Sequence, residues 1–140
     1  MKKVKFLAIG DIVTDAFIQL QDARVTCDID DANCTISMRF GDKIPYKDVE
    51  VVKAVGNSPN AVVSATRLGI ESAIITHVGN DNEGKECIET LKENGVKTDL
   101  VQIQDGFKTN YHYVLSFEAE RTILVKHSQF NYDFAGVMKD

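Results

Sequence analysis

Positive charge is scarce in this chain: 16 lysines and arginines face 21 aspartates and glutamates, for a net charge of −5. Phosphate backbones and anionic bilayers are held by clustered Lys and Arg, so no nucleic acid and no membrane is expected as a partner. Long apolar runs are missing as well. Lys2 and Lys3 precede the run Val4 to Ile9, but it stops at Gly10-Asp11 and is too short for a secretory or transmembrane segment. Proline occurs only twice, and with 44% hydrophobic and 26% charged residues the composition is that of a soluble globular protein. The 140 residues match one ordinary domain.

Cysteine and histidine are equally sparse. Cys27, Cys34 and Cys87 are odd in number and form no C-x-x-C pair, so reduced thiols in a cytoplasmic protein are expected. His77, His112 and His127 make no H-x-x-H or H-x-x-x-H spacing, which gives a metal site no support. A G-x-S-x-G elbow is absent, leaving hydrolase chemistry without a motif.

What is present centres on Val55 to Gly84. Gly56 permits an unusual backbone turn, Ser58 or Asn57 can cap a helix, and Pro59 suits a first helical position. Ala61, Val62, Ala65 and Leu68 make a small apolar face that Gly69 terminates as a left-handed cap. The β-branched run Ala73 to Val78 then reads as a strand buried on both faces. Gly79-Asn80-Asp81-Asn82-Glu83-Gly84 has the form G-x-D-x-x-G, with acidic residues where a phosphate would sit, so Asp81 or Asn82 is read as the cap of the next helix. That helix turns Gly84, Ile88 and Leu91 inward and stops at Gly95.

Around this unit, Val4 to Ile9 reads as a parallel central strand, and ligand crevices in open α/β sheets lie beyond the carboxyl ends of such strands. Asp11 and Asp15 fall there. Asp11 is read as a turn residue, whereas the Asp15 carboxylate can accept two hydroxyls at once. Short β pieces follow at Ala23 to Cys27, Thr35 to Phe40 and Val49 to Ala54, with a solvated hairpin tip at Asp28 to Asn33 that lacks the glycine and closing glutamate of a calcium loop. Leu100 to Ile103 is a further strand, and Thr109 to Phe117 with Arg121 to Lys126 form an antiparallel hairpin. Tyr111, His112 and Tyr113 can give an aromatic wall or a hydroxyl partner, while Arg121 is read as a surface ion-pair residue. After His127 the chain turns polar, and one apolar sheet edge is expected to stay unpaired.

The order Gly56, Asn60, Gly69, Gly79, Asp81, Gly84, with Phe6 to Asp11 and Asp15 upstream, resembles the N-terminal signature of the ribokinase-like (PfkB) carbohydrate kinases. The resemblance implies the N-terminal part of a three-layer α/β/α core, residues 1–140, with a small β-sheet lid at about 19–54 and 107–127. It implies ATP-dependent phosphorylation of a sugar or related polyol hydroxyl, or of a nucleoside, with Asp15, Gly56, Asn57, Asn60 and Tyr113 binding substrate. ATP and Mg²⁺ would serve the full-length enzyme. No D-T-x-G-A-G-D stretch is present, so catalytic base and nucleotide site are expected to lie outside this chain, which alone would bind neither cofactor nor transfer phosphate. The alternative is a non-catalytic sugar-binding or dimerisation module, with the β lid as the contact of a homodimer.

Overall fold

The computed structural model describes residues 3–30 and 32–133. A parallel three-stranded sheet carries the core: β1 (Phe6–Ile9), β6 (Ser72–Gly79) and β7 (Val101–Gln104), in the order β1-β6-β7. All eight residues of β6 are buried, as its β-branched run predicts for the middle strand. Two helices, α1 (Asn57–Arg67) and α2 (Asn82–Glu93), connect these strands. Val62 of α1 and Cys87 and Leu91 of α2 share one apolar cluster with Ala8, Ile74 and Val78, so both helices cover the same face of the sheet. On the opposite face Leu7 and Ile9 are 42% and 56% exposed. Among the described residues β1 and β7 each have a partner on one side only, as the outer strands of this sheet.

The second sheet has four strands: β2 (Val13–Leu20), β5 (Tyr46–Val55), β8 (Asn110–Phe117) and β9 (Glu120–Leu124), in the order β5-β2-β8-β9. No periodicity marks residues 12–18, yet β2 forms there because it is paired on both edges, antiparallel to β5 and parallel to β8. The hairpin β8–β9 and the turn before it lie where alternation places them. A separate two-stranded ladder, β3 (Arg24–Thr26) with β4 (Thr35–Ser37), projects from the β2–β5 connection.

Four local expectations change. Gly56, at φ +121°, is the N-cap of α1 and no side chain caps the helix; Ser58 Oγ donates instead to Ile9 O at 2.8 Å, tying helix to β1. Pro59 is the third helical residue, still within the first turn, where no intrahelical acceptor is needed. Leu68 is 81% exposed because α1 ends at Arg67, and the left-handed turn at Gly69, φ +83°, follows it. Finally, Cys27 and Cys34 are joined in a disulfide, contrary to the reduced thiols expected, because they oppose each other one step beyond the Thr26–Thr35 pair of the hairpin. Cys87 is free and buried.

Candidate functional site

Asp15 lies on β2 between Val52 of β5 and His112 of β8. Paired residues of neighbouring strands share a face, and His112 Nδ1 stands 3.3 Å from Asp15 Oδ1, both side chains largely buried. The same arrangement continues outward. His127 packs edge-on against His112 with ring centroids 5.0 Å apart, and its Nδ1 is 3.7 Å from Asp11 Oδ2. Tyr132 donates its hydroxyl to Asp11 Oδ1 at 3.1 Å. Burial pushes the Tyr132 phenol above its usual range, and the Asp11 charge and hydrogen bond push the same way. Asp11, read from sequence as a turn residue, therefore holds the polar segment after β9 against the end of β1.

The turn at Gly56 abuts this cluster. Between Asp15 and Val13 the β2–β5 ladder slips by one residue, and Ala54 takes a left-handed φ of +57° at the slip. Such a bulge bends its strand and re-aims the residues beyond it. Here it brings Gly56 so close to the β1–β2 turn that a Cβ would meet Asp11 O at 3.2 Å. Asn57 and Asn60 stand exposed on the first turn of α1, beside Gly56, whose carbonyl accepts from Asn60 N at 3.0 Å. Tyr113 stands elsewhere. It follows His112 directly on a regular strand, so it projects from the opposite face, next to Tyr111 at 5.2 Å between ring centroids. With Lys108 and Lys126 the two tyrosines line a cavity of about 370 Å³ on that side. Gly56, Asn57 and Asn60 are together at the start of α1, near Asp11 and Val13, while Asp15 lies farther along β2 and Tyr113 on the opposite face of the lid sheet.

The Gly79–Gly84 turn has its donors engaged internally. Gly79 N donates to Thr109 Oγ1 at 3.0 Å and Gly84 N to Asp81 Oδ1 at 2.9 Å, while Thr109 Oγ1 and N donate to the two Asp81 oxygens at 2.6 and 2.9 Å. Burial alone would raise the Asp81 carboxyl, but these hydrogen bonds, with the Lys108 charge, hold it below the ordinary carboxylate value. A Cβ at Gly79 would collide with Phe107 O and one at Gly84 with Gly79 O. The motif is thus a close-packed joint in which the Gly79, Asn80 and Gly84 amides are engaged within the fold. Among the described residues no group of three or more His, Cys, Asp or Glu is placed to hold a metal ion.

Residues 29–134 match the pattern of the pfkB family carbohydrate kinases. The chain belongs to that family. It is 28% identical over 129 residues to the bifunctional protein HldE of Campylobacter fetus, covering 90% of this chain and 23% of that protein. It is 34% identical over 71 residues to the ribokinase of Mus musculus, covering 50% and 22%. The Arabidopsis thaliana ribokinase complexed with ribose and ATP superposes with a TM-score of 0.70 at 17% identity, covering 88% of this chain and 36% of that one. Cryptococcus neoformans ribokinase with ADP gives 0.68 at 20% identity, covering 95% and 38%. The chain therefore has a ribokinase-like α/β fold and spans less than a quarter of these curated relatives.

Within this pfkB-family chain, sequence reasoning missed the two carboxylate–histidine pairs, because the partners sit on strands far apart in the chain and no periodicity announces their register. The disulfide did leave a signal: Cys27 and Cys34 flank the acidic hairpin tip symmetrically. No helix among the described residues is long and apolar enough to cross a membrane.

Proposed function

We propose that this chain is the substrate-binding part and lid of an ATP-dependent kinase acting on a hydroxyl of a sugar, related polyol or nucleoside. The observation that supports the reading is a largely buried Asp15 carboxylate on β2, two residues after Val13, whose side chain lies close to the turn at Gly56. A carboxylate there accepts hydroxyl protons, and Asn57 and Asn60 offer both donors and acceptors to neighbouring hydroxyls. Fixing those hydroxyls supplies positioning, the part of phosphoryl transfer that binding energy can provide. The lid sheet excludes water that would otherwise compete as acceptor. Base and nucleotide site would come from outside this chain, and ATP with Mg²⁺ would act there. We place the protein in the cytoplasm.

A second reading, a sugar-binding or dimerisation module, is favoured by the outer lid face. Val51, Ala16, Tyr113 and Leu124 form one row across its four strands, and Val51, Tyr113 and Leu124 are 47%, 47% and 52% exposed. An apolar row of this kind suits contact with a second lid. Calorimetry of the chain against ribose, fructose and a purine nucleoside, each with and without ATP and Mg²⁺, separates the readings. Sugar binding without nucleotide heat supports the substrate part. Tight ATP binding contradicts this division of labour, and self-association without sugar binding leaves the module.

A further inference from the structure

The cavity beside Tyr111 and Tyr113 lies between the first turn of α2 and the outer face of β8, so the lid sheet separates it from Asp15 and His112. Its walls reverse the acidic balance of the chain. Tyr113 pairs with Leu124, and two residues further out the same register sets Lys126 across from Tyr111, on the same face. Ser128 holds that continuation in place, its N–H donating to Asn110 Oδ1 at 2.8 Å and its hydroxyl to Lys108 O. Lys108 and Lys126 thus reach one cavity. Lys53 and Lys97 stand 3.0 Å from Glu86 and Glu71, but among the described residues Lys108 and Lys126 are in no ion pair. Asp81, also in the wall, has its two oxygens engaged by Thr109 and Gly84, which leaves Glu83 as the carboxylate without a partner there. Burial first, then Tyr113 and the charges of Glu83 and Glu86, push the Tyr111 phenol up, so it stays a neutral proton donor.

We propose that this cavity is a second binding site, on the face of the lid away from Asp15, for a phosphate monoester of a sugar or related polyol. Lys108 and Lys126 take the phosphate, whose charge of about −1.5 to −2 matches two ammonium groups. Glu83 accepts ligand hydroxyls, Tyr111 Oη donates to one, and the half-exposed ring of Tyr113 covers the apolar face of the sugar. At about 370 Å³ the cavity falls within the range of small-molecule sites, about 300–1,000 Å³. A neutral sugar leaves both lysines to water, so the phosphate decides occupancy. The site stands independently of what Asp15 binds.

The test is calorimetry on the full chain with ribose 5-phosphate, ribose and inorganic phosphate, comparing wild type, Asp15→Asn, Lys108→Gln, Lys126→Gln and Tyr113→Leu, with the melting temperature of each. Lys92→Gln, in the last turn of α2, is the control for loss of charge alone. Ribose 5-phosphate is expected to bind wild type, Asp15→Asn and Lys92→Gln alike, and more tightly than inorganic phosphate. Each cavity lysine variant should lose about fivefold or more in affinity at an unchanged melting temperature. Added salt should weaken the wild-type affinity. If Asp15→Asn does not fold, saturating ribose in wild type takes its place, and ribose 5-phosphate should still bind. Binding that vanishes in Asp15→Asn or under ribose, while the lysine variants bind as wild type does, puts the ligand at Asp15; the proposal then falls and the reading of Asp15 stands. Self-association of wild type without ribose 5-phosphate binding makes this face a contact between copies, and the proposal falls. Absence of ribose binding alongside lysine-dependent ribose 5-phosphate binding upholds the proposal and removes support from the reading of Asp15.

Discussion

Thr109 Oγ1 donates to Asp81 Oδ1 at 2.6 Å, joining the turn after β6 to the residue just before β8. The same carboxylate accepts Gly84 N and so caps α2, which makes Asp81 the shared fixture of core and lid. Its replacement removes a helix cap and leaves Thr109 without its acceptor. Asp81→Ala is expected to destabilise the chain by about 2 kcal/mol. Urea unfolding of the two proteins at neutral pH measures the difference.

The same residue sets an acid dependence. Its folded pKa lies below the unfolded value of about 3.9, so its stabilisation is fully present above that value and is lost as pH falls through the lower folded one. The stability gap between wild type and Asp81→Asn should therefore stay constant from pH 7 to about pH 5 and shrink below about pH 4. Urea midpoints across that range report it; a gap that widens on acidification would reverse the sign argued here.

Gly84 and Gly79 are required by space, not by an unusual φ. An added Cβ at Gly84 meets Gly79 O, and Thr109 Oγ1 lies 2.8 Å away. Backbone and a hydrogen-bonded hydroxyl cannot give way cheaply, so Gly84→Ala is expected to cost about 3 kcal/mol, at the upper end for overpacking. Thermal unfolding detects it as a fall of several degrees, while Gly106→Ala, with nothing within 4 Å, should suffer only from its left-handed φ of +78°.

The β3–β4 ladder has three residue pairs and joins neither larger sheet. A two-stranded hairpin this short is marginal in water. Closing its loop through Cys27–Cys34 stabilises it by about 2.5 kcal/mol on the chain-entropy estimate. Reduction by a dithiol, or Cys34→Ser, should raise hydrogen-exchange rates over residues 24–37 and leave α1, β6 and α2 protected.

The core was legible because its signals are local. Gly69, Asp81 and Gly95 mark helix ends, and Ala73 to Val78 is short and rich in β-branched residues, as suits a buried strand. Such cues act within a few residues and survive tertiary context. The lid was legible as strands except for β2, and not in its pairing: β2 lies between β5 and the distant β8, and only that register shows Asp15 facing His112 while Tyr113 faces away. Ser58 illustrates the same limit. Its sequence position suits a cap, but the carbonyl of Ile9 is the acceptor that the fold brings within reach.

The central claim is that Asp15 and the Gly56–Asn60 turn hold the substrate. Its most direct measurement is amide and side-chain NMR shift mapping of the labelled chain during titration with ribose and fructose. The account predicts saturable shifts at Asp15, Gly56, Asn57, Asn60 and His112, abolished in Asp15→Ala. Shifts confined to the Tyr111–Tyr113 face or to Gly79–Gly84, or shifts that persist unchanged in Asp15→Ala, would contradict it.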